Sequence, residues 1–256
     1  MLIQQSQKNR LHLTIHHPDD EIVGLFTFIN RKKKRGISFV TFFLTNGVMP
    51  KEKMWFFKRN SYSSILNRRI LEMKKSMRAI GIKNYTYQKI PSRTLKDNIE
   101  PSINKINKLI NKYKIDTLFA PAYEGGHQDH DAANFISSKF VNKLSVYEYS
   151  EYNFFSNKVN SNQFINSSGK ENTLYLDKHE KKKKIKALKI YESEKMNLNY
   201  LSFDKECYRS LSKYDYSKPP HSGILFYRRF SWFSWHPKVD NSKPEELCRI
   251  FKRFKN

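Results

Sequence analysis

His17-Pro18-Asp19-Asp20-Glu21 is the stretch on which the reading of this 256-residue chain turns. A short apolar run, Leu11 to Ile15 broken by His12 and Thr14, precedes it and reads as a buried strand. Ile22, Val23, Leu25 and Phe26 follow it and suit the apolar side of a helix. A histidine and three carboxylates therefore stand at a strand-to-helix junction, and in open α/β folds ligands bind at the carboxyl ends of the strands. His17 and Asp20 are three positions apart, so one turn can aim an imidazole and a carboxylate at one point. Asp19 projects elsewhere and is left for proton transfer. Taken alone, the acidic cluster fits equally well as a helix cap that complements the helix dipole.

A second cluster weighs against that plain role. Residues 121–131 read Pro-Ala-Tyr-Glu-Gly-Gly-His-Gln-Asp-His-Asp and follow Thr117-Leu118-Phe119, another predicted strand end. The Gly-Gly pair lets the backbone turn tightly or approach a ligand closely. His127 and His130 are again three apart, with Asp129 between them. Two His/Asp clusters, each just past a strand, point to a metal site more than to packing.

The pattern around them predicts strands near 11–16, 37–44, 84–89, 115–120 and 144–149, and helices near 20–30, 61–80, 98–113, 130–142 and 178–195. Such alternation predicts an α/β fold, a Rossmann-like three-layer sandwich around a mainly parallel sheet. The expected division is a core over 1–200 and an aromatic, basic C-terminal extension over 201–256, packed on the same domain. There is no Gly-x-Gly-x-x-Gly or phosphate-loop motif, so a nucleotide cofactor is not indicated.

The two clusters together resemble the signature of the LmbE/PIG-L family of metal-dependent de-N-acetylases. Weaker similarities lie between and beyond them: Leu44-Thr45-Asn46-Gly47, Arg69-Ile70-Leu71-Glu72 followed by Ala79-Ile80-Gly81, and Lys184 to Glu194. The similarity covers roughly residues 10–195. It implies that His17, Asp20 and His130 are the protein ligands of a zinc ion. It further implies that Asp19 is the general base, that His127 stabilises the oxyanion, that Asp129 orients or tunes the histidines, and that Arg69 contacts substrate. Two histidines and one carboxylate also form the facial triad of ferrous iron, so the resemblance favours zinc while the donor set admits iron as well. Three protein ligands leave positions open for water and substrate, as catalytic zinc needs. The implied reaction removes an N-acetyl group from an amino sugar or glycan precursor, releasing acetate. Whether Asp19 or His127 protonates the leaving amine stays open. Val48, Gly125 and Glu194 depart from the family pattern and bear on substrate identity more than on catalysis.

The remaining features set bounds. Tyr149, Tyr152, Phe154 and Phe155 follow a predicted strand and suit either a sugar-stacking lid or ordinary packing. Leu225-Phe226-Tyr227 reads as a strand, His221 as part of a proline turn, and Trp232 and Trp235 as anchors that pack the extension onto the core. The formal charge of +24 fits nonspecific basicity first, an anionic membrane or phosphorylated substrate second, and nucleic acid third. The basic runs Arg31 to Arg35 and Lys181 to Lys184 are expected to be solvated. The polar opening residues carry no signal pattern, and no apolar run reaches the roughly 18 residues of a membrane-crossing helix. Cys207 and Cys248 show neither close metal spacing nor a disulfide framework, so the expected setting is cytoplasmic, with contact at the inner membrane face compatible with the charge. Two other functions keep the same scaffold: a basic binding protein on a degenerate deacetylase fold, and an amidase acting on a non-sugar N-acyl substrate. The intact His17, Asp19, Asp20 and His130 favour the sugar deacetylase over the degenerate binder.

Overall fold

Short apolar strands separated by helix-forming stretches pair in parallel, because each helix carries the chain back to the starting edge. The computed structural model describes residues 11–195, 198 and 201–254. Strands β1 (Leu11–His16), β2 (Ser38–Phe43), β3 (Asn84–Tyr87), β4 (Thr117–Pro121) and β5 (Ser145–Ser150) form the parallel part of the sheet. A small ribbon pairs β6 (Tyr152–Asn153) with β7 (Asn160–Ser161), and β8 (Asn172–Tyr175) and β9 (Lys205–Ser210) add an antiparallel edge. The sheet order is β3-β2-β1-β4-β5-β9-β8. The chain thus winds one way from β1 and the other way from β4, with Leu13 in register with both Val40 and Leu118. The crevice of such a sheet opens where the winding reverses, beside the ends of β1 and β4, and both His/Asp clusters begin there.

Helices α1 (Asp20–Val23), α2 (Phe26–Lys34), α3 (Tyr62–Ile80), α4 (Ile99–Tyr113), α5 (Gln128–Ser138), α6 (Lys178–Leu188) and α7 (Pro244–Arg253) cover the sheet. Alternation along β2 divides the core. Val40 and Phe42 pack with Leu13, Ile15, Ile106, Ala133 and Phe251 on one face. Phe39 and Phe43 pack with Phe28, Met73, Met77 and Tyr191 on the other. This is the three-layer arrangement that the sequence predicts.

Several expectations are revised. The helix expected over 20–30 is two helices, and α2 starts afresh because Glu206 of β9 accepts the backbone N–H of Thr27 and Phe28 at 2.9 and 2.8 Å. Lys184, expected to be solvated, is fully buried: its Nζ donates to Glu206 Oε1 at 2.7 Å and to the Val23 carbonyl at 2.6 Å. Arg31 and Lys33 belong to the last turns of α2, where Arg31 pairs with Glu180 and Lys33 donates to the Gly81 carbonyl. Around Leu225-Phe226-Tyr227 the chain makes a 3₁₀ turn over Phe226–Arg228 instead of a strand. Trp232 and Trp235 do not anchor the extension, being 77% and 64% exposed; its buried residues include Tyr216, Leu225, Phe226 and Tyr227, and Leu247, Cys248 and Phe251 of α7. His221 does sit in a turn, its Nδ1 2.7 Å from the Ser222 carbonyl. Residues 1–10, read as lacking a signal pattern, lie outside the described part. Among the described residues no helix is long and apolar enough to cross a membrane.

Candidate metal centre and active-site cleft

Asp19 occupies the first strained position after β1, with φ of 112°. A non-glycine residue there costs roughly 1–3 kcal/mol unless its surroundings hold it. They do: its carbonyl accepts from Ile22 and Val23 at 2.9 and 3.0 Å, and its N–H donates to Glu21 Oε2 at 2.9 Å. Glu21 is fully buried and is itself held by the hydroxyls of Ser76 and Tyr191. Burial pushes its carboxyl up to about 7. The third carboxylate of the opening motif is therefore a brace that fixes the backbone of the first.

Asp20 accepts the backbone N–H of His17 at 2.7 Å and lies 3.2 Å from His130 Nε2. Burial raises the Asp20 carboxyl, but His130, by charge and hydrogen bond, outweighs it and holds the group well below the carboxylate range. Asp129 is fully buried at the start of α5 and takes the backbone N–H of Arg93 and Leu95 at 2.5 and 3.1 Å. Its Oδ2 is also 3.1 Å from His17 Nε2. Burial opposes ionisation of Asp129, yet the hydrogen bond and charge of His17 bring it down to about 2. With Nε2 against Asp129, His17 keeps Nδ1 for another partner.

His127 caps α5: its Nδ1 accepts the backbone N–H of Asp129 at 3.1 Å. An accepting Nδ1 leaves the ring proton of a neutral imidazole on Nε2. Burial, and then the charge of His17, hold the His127 pKa well below its ordinary value, so the neutral ring is the form present at pH 7.

Potential ligand atoms of His17, His127 and His130 lie within 4.8 Å of one another, as do those of Asp20, His130 and Glu151. The trio expected from the sequence, His17, Asp20 and His130, draws on both groups and shares His130 between them. Glu151 carries no signal in the sequence analysis. It follows β5 directly, is fully buried, and neither of its carboxylate oxygens meets a donor. Its backbone is set by buried Glu124, which accepts from Glu151 N at 2.7 Å and from Ser150 Oγ at 2.8 Å. Imidazoles facing carboxylates in a buried crevice form a donor set that zinc and ferrous iron accept. Two atoms bound to one zinc at about 2.0–2.1 Å stand roughly 3.2–3.4 Å apart, which the Asp20–His130 separation of 3.2 Å matches. The orphaned Glu151 oxygens are acceptors that a cation there would satisfy; without one, burial and the neighbouring Asp20 push its carboxyl well above the usual carboxylate range. The residues present therefore fit a metal.

Arg69 reaches the same crevice from α3. It lies 3.8 Å from Asp19 Oδ2 and 2.5 Å from Glu194 Oε1, and its Nη1 donates to Ser193 Oγ at 3.1 Å. Gly47 makes room for it: φ is 75°, and a Cβ there would stand 2.7 Å from Arg69 Nε. The Gly-Gly pair has a different use, since a Cβ on Gly126 would stand 2.4 Å from the Tyr152 carbonyl, so the close approach is to protein backbone. The cleft has a volume of about 580 Å³, with His17, Asp19, Asp20, His127, His130 and Glu151 along its floor. Tyr152 and residues of the 226–240 segment, including Arg229, Phe233 and Lys238, make its upper wall. Tyr149, by contrast, is core, and Phe155 is on the surface.

The profile of the PIG-L family, described as GlcNAc-PI de-N-acetylase, matches residues 13–141 and so takes in both clusters. The chain belongs to that family. As a PIG-L family member it is an N-deacetylase, a hydrolase of an amide C–N bond. No curated protein sequence matches the chain. Solved structures share its fold at low identity. The zinc-inhibited form of teicoplanin deacetylase Orf2 is 12% identical with a TM-score of 0.57, over 80% of this chain and 99% of that one. The N,N'-diacetylchitobiose deacetylase from Pyrococcus horikoshii is 20% identical with a TM-score of 0.50, over 72% and 70%. GalB, the 4-carboxy-2-hydroxymuconate hydratase from Pseudomonas putida KT2440, is 12% identical with a TM-score of 0.52, over 80% and 97%. One fold carries both deacetylases and a hydratase, so the family match and the residues of the cleft, and not the shape alone, bear on the reaction.

Proposed function

We propose that this PIG-L family member removes an N-acetyl group from an amino sugar or glycan precursor, using zinc held by His17, Asp20 and His130. The observation that carries this reading is the convergence of two clusters, from two strand ends on either side of the winding reversal, on one buried crevice. The acetylated sugar follows from the family and from the names of the teicoplanin and chitobiose deacetylases that share the fold. When bound, zinc supplies a water of lowered pKa, near ~7, and a Lewis acid for the amide oxygen. Ferrous iron suits the same donors.

The protein's own groups then have distinct tasks. Asp19 takes the proton of the attacking water as its oxygen adds to the acyl carbon. His127 donates its Nε2 hydrogen to the developing oxyanion as a neutral ring, a contribution of about 3–4 kcal/mol for a donor of this kind. Asp129 holds His17 through Nε2, the carboxylate–imidazole arrangement that orients metal-binding histidines. Because His127 is neutral and uses its one proton on the oxyanion, Asp19 passes the proton it has taken to the departing nitrogen. The C–N bond then breaks to give acetate and the free amine. Arg69, beside Asp19 and the mouth of the cleft, contacts the substrate.

Elemental analysis of wild type and His130→Ala tests this reading without a substrate. About one zinc or iron per chain, lost in the variant, is expected. Acetate release from N-acetylated amino sugars follows as the activity test. Wild type that holds no metal after reconstitution would sink the reading.

A further inference from the structure

The upper wall of the cleft continues outward into an aromatic surface that the reaction does not use. Phe56, Phe57 and Trp235 are 77%, 59% and 64% exposed and lie outside the cleft lining. Two segments far apart in sequence build this surface, and Trp55 joins them: its ring is 5.9 Å from Phe57, 6.0 Å from Trp235 and 5.8 Å from His236. Phe233 lies 4.3 Å from Trp235 and brings in Trp232 at 5.4 Å. Soluble surfaces scatter such side chains singly, and a contiguous cluster marks a contact site.

The charges beside it are predominantly positive. Lys51, Lys53, Lys58 and Arg59 stand in the first segment against a single acid, Glu52. Arg228, Arg229 and Lys238 stand in the second, with no acid between Arg228 and Lys238. Aromatic rings that partition into the headgroup region, ringed by cations, are what an anionic lipid surface binds. A second copy is a poor occupant, because two-fold pairing would set these cations against themselves on a chain of formal charge +24. The outer rings project into solvent and form no groove for a polymer strand to follow.

We propose that this face docks the protein on an anionic bilayer, with the mouth of the cleft turned to the lipid surface. The contact is interfacial, through side chains on and beside the 3₁₀ turns at Phe56–Ser61 and Ser231–Phe233. It places the crevice where a substrate carried on a lipid presents its sugar. The docking itself does not rest on the deacetylation chemistry and is measured apart from turnover.

The test is co-sedimentation with vesicles of phosphatidylcholine alone and of phosphatidylcholine with phosphatidylglycerol, for wild type and for the triple variant Phe56→Ser/Phe57→Ser/Trp235→Ser. Wild type is expected to bind the anionic vesicles at least about tenfold more tightly than the neutral ones, and to weaken as salt rises. The triple variant is expected to lose about tenfold or more in affinity for anionic vesicles while its melting temperature and metal content stay unchanged. Equal binding by variant and wild type would reduce the effect to bulk charge and overturn the proposal. So would absence of vesicle binding, a dimer that dissociates in the variant, or single-stranded RNA captured by this face in place of vesicles.

Discussion

The floor of the cleft and its upper wall are built by opposite means. On the floor, the charged groups are buried or nearly so and their backbone or rings are held by others: Glu21 fixes the backbone of Asp19, Asp129 holds His17, and Glu124 sets the backbone of Glu151. On the wall, large rings stand in solvent on short 3₁₀ turns, tied back by Arg93, whose guanidinium donates to the carbonyls of Pro237 and Lys238 at 3.1 and 2.7 Å, and by Gln128, whose Nε2 donates to Asp240 at 2.6 Å. Groups that must keep a fixed geometry are over-determined by their neighbours, whereas groups that meet a partner from outside are left uncovered. The same backbone carries both, because the floor residues sit where strands end and the wall residues sit where chain leaves the sheet altogether.

That contrast breaks most visibly at the floor. Asp20→Ala is expected to lose the metal and all turnover, which elemental analysis and acetate release check together. Asp19→Ala is expected to keep the metal and lose about 10²–10⁴-fold in turnover, the range for a positioned base. Full turnover in Asp19→Ala would remove it from the mechanism. Lys184→Met leaves Glu206 buried without its cation and is expected to cost about 3–5 kcal/mol in denaturant unfolding. Gly47→Ala meets both a positive φ and the Arg69 side chain, so roughly 1–3 kcal/mol of stability should go, with a raised KM as Arg69 is displaced. At the wall, Trp232→Ala should leave unfolding within about 0.5 kcal/mol of wild type. A large loss there would mean that the wall is as tightly built as the floor.

The floor was legible in the sequence where its residues are neighbours. His17, Asp19 and Asp20 fall within one turn and His127, Asp129 and His130 within another, so spacing alone brings them together. Arg69 stood out only through resemblance, since its helix is far along the chain and nothing local marks it as facing the site. Glu151 left no trace because it stands at the end of a predicted strand, in Glu148-Tyr149-Ser150-Glu151, with no histidine beside it to signal a ligand. Lys184 was hidden by its company: three solvated-looking lysines precede it, and only the packing of α6 on the sheet decides which of the four is buried. The five parallel strands are legible in the alternation of strand and helix stretches, but β8 and β9 are polar enough that only the pairing of β9 with β5, and of β8 with β9, makes them strands. The wall departs from the sequence expectation in the opposite sense: Trp232 and Trp235 are apolar enough to suggest burial, yet they stand in solvent.

The hold of Glu206 on the start of α2 carries a consequence for how the protein is made. A ribosome delivers Phe26–Lys34 long before it delivers residue 206, so the second helix of the nascent chain waits for a cap that arrives 178 residues after Phe28. Domains fold as units during translation once their distant contacts can close. The turn that presents Asp19 and Asp20 lies immediately ahead of that helix, so the catalytic floor is expected to set only when β9 has left the exit tunnel, and chains stopped short of it should reach the protease before they reach a native state.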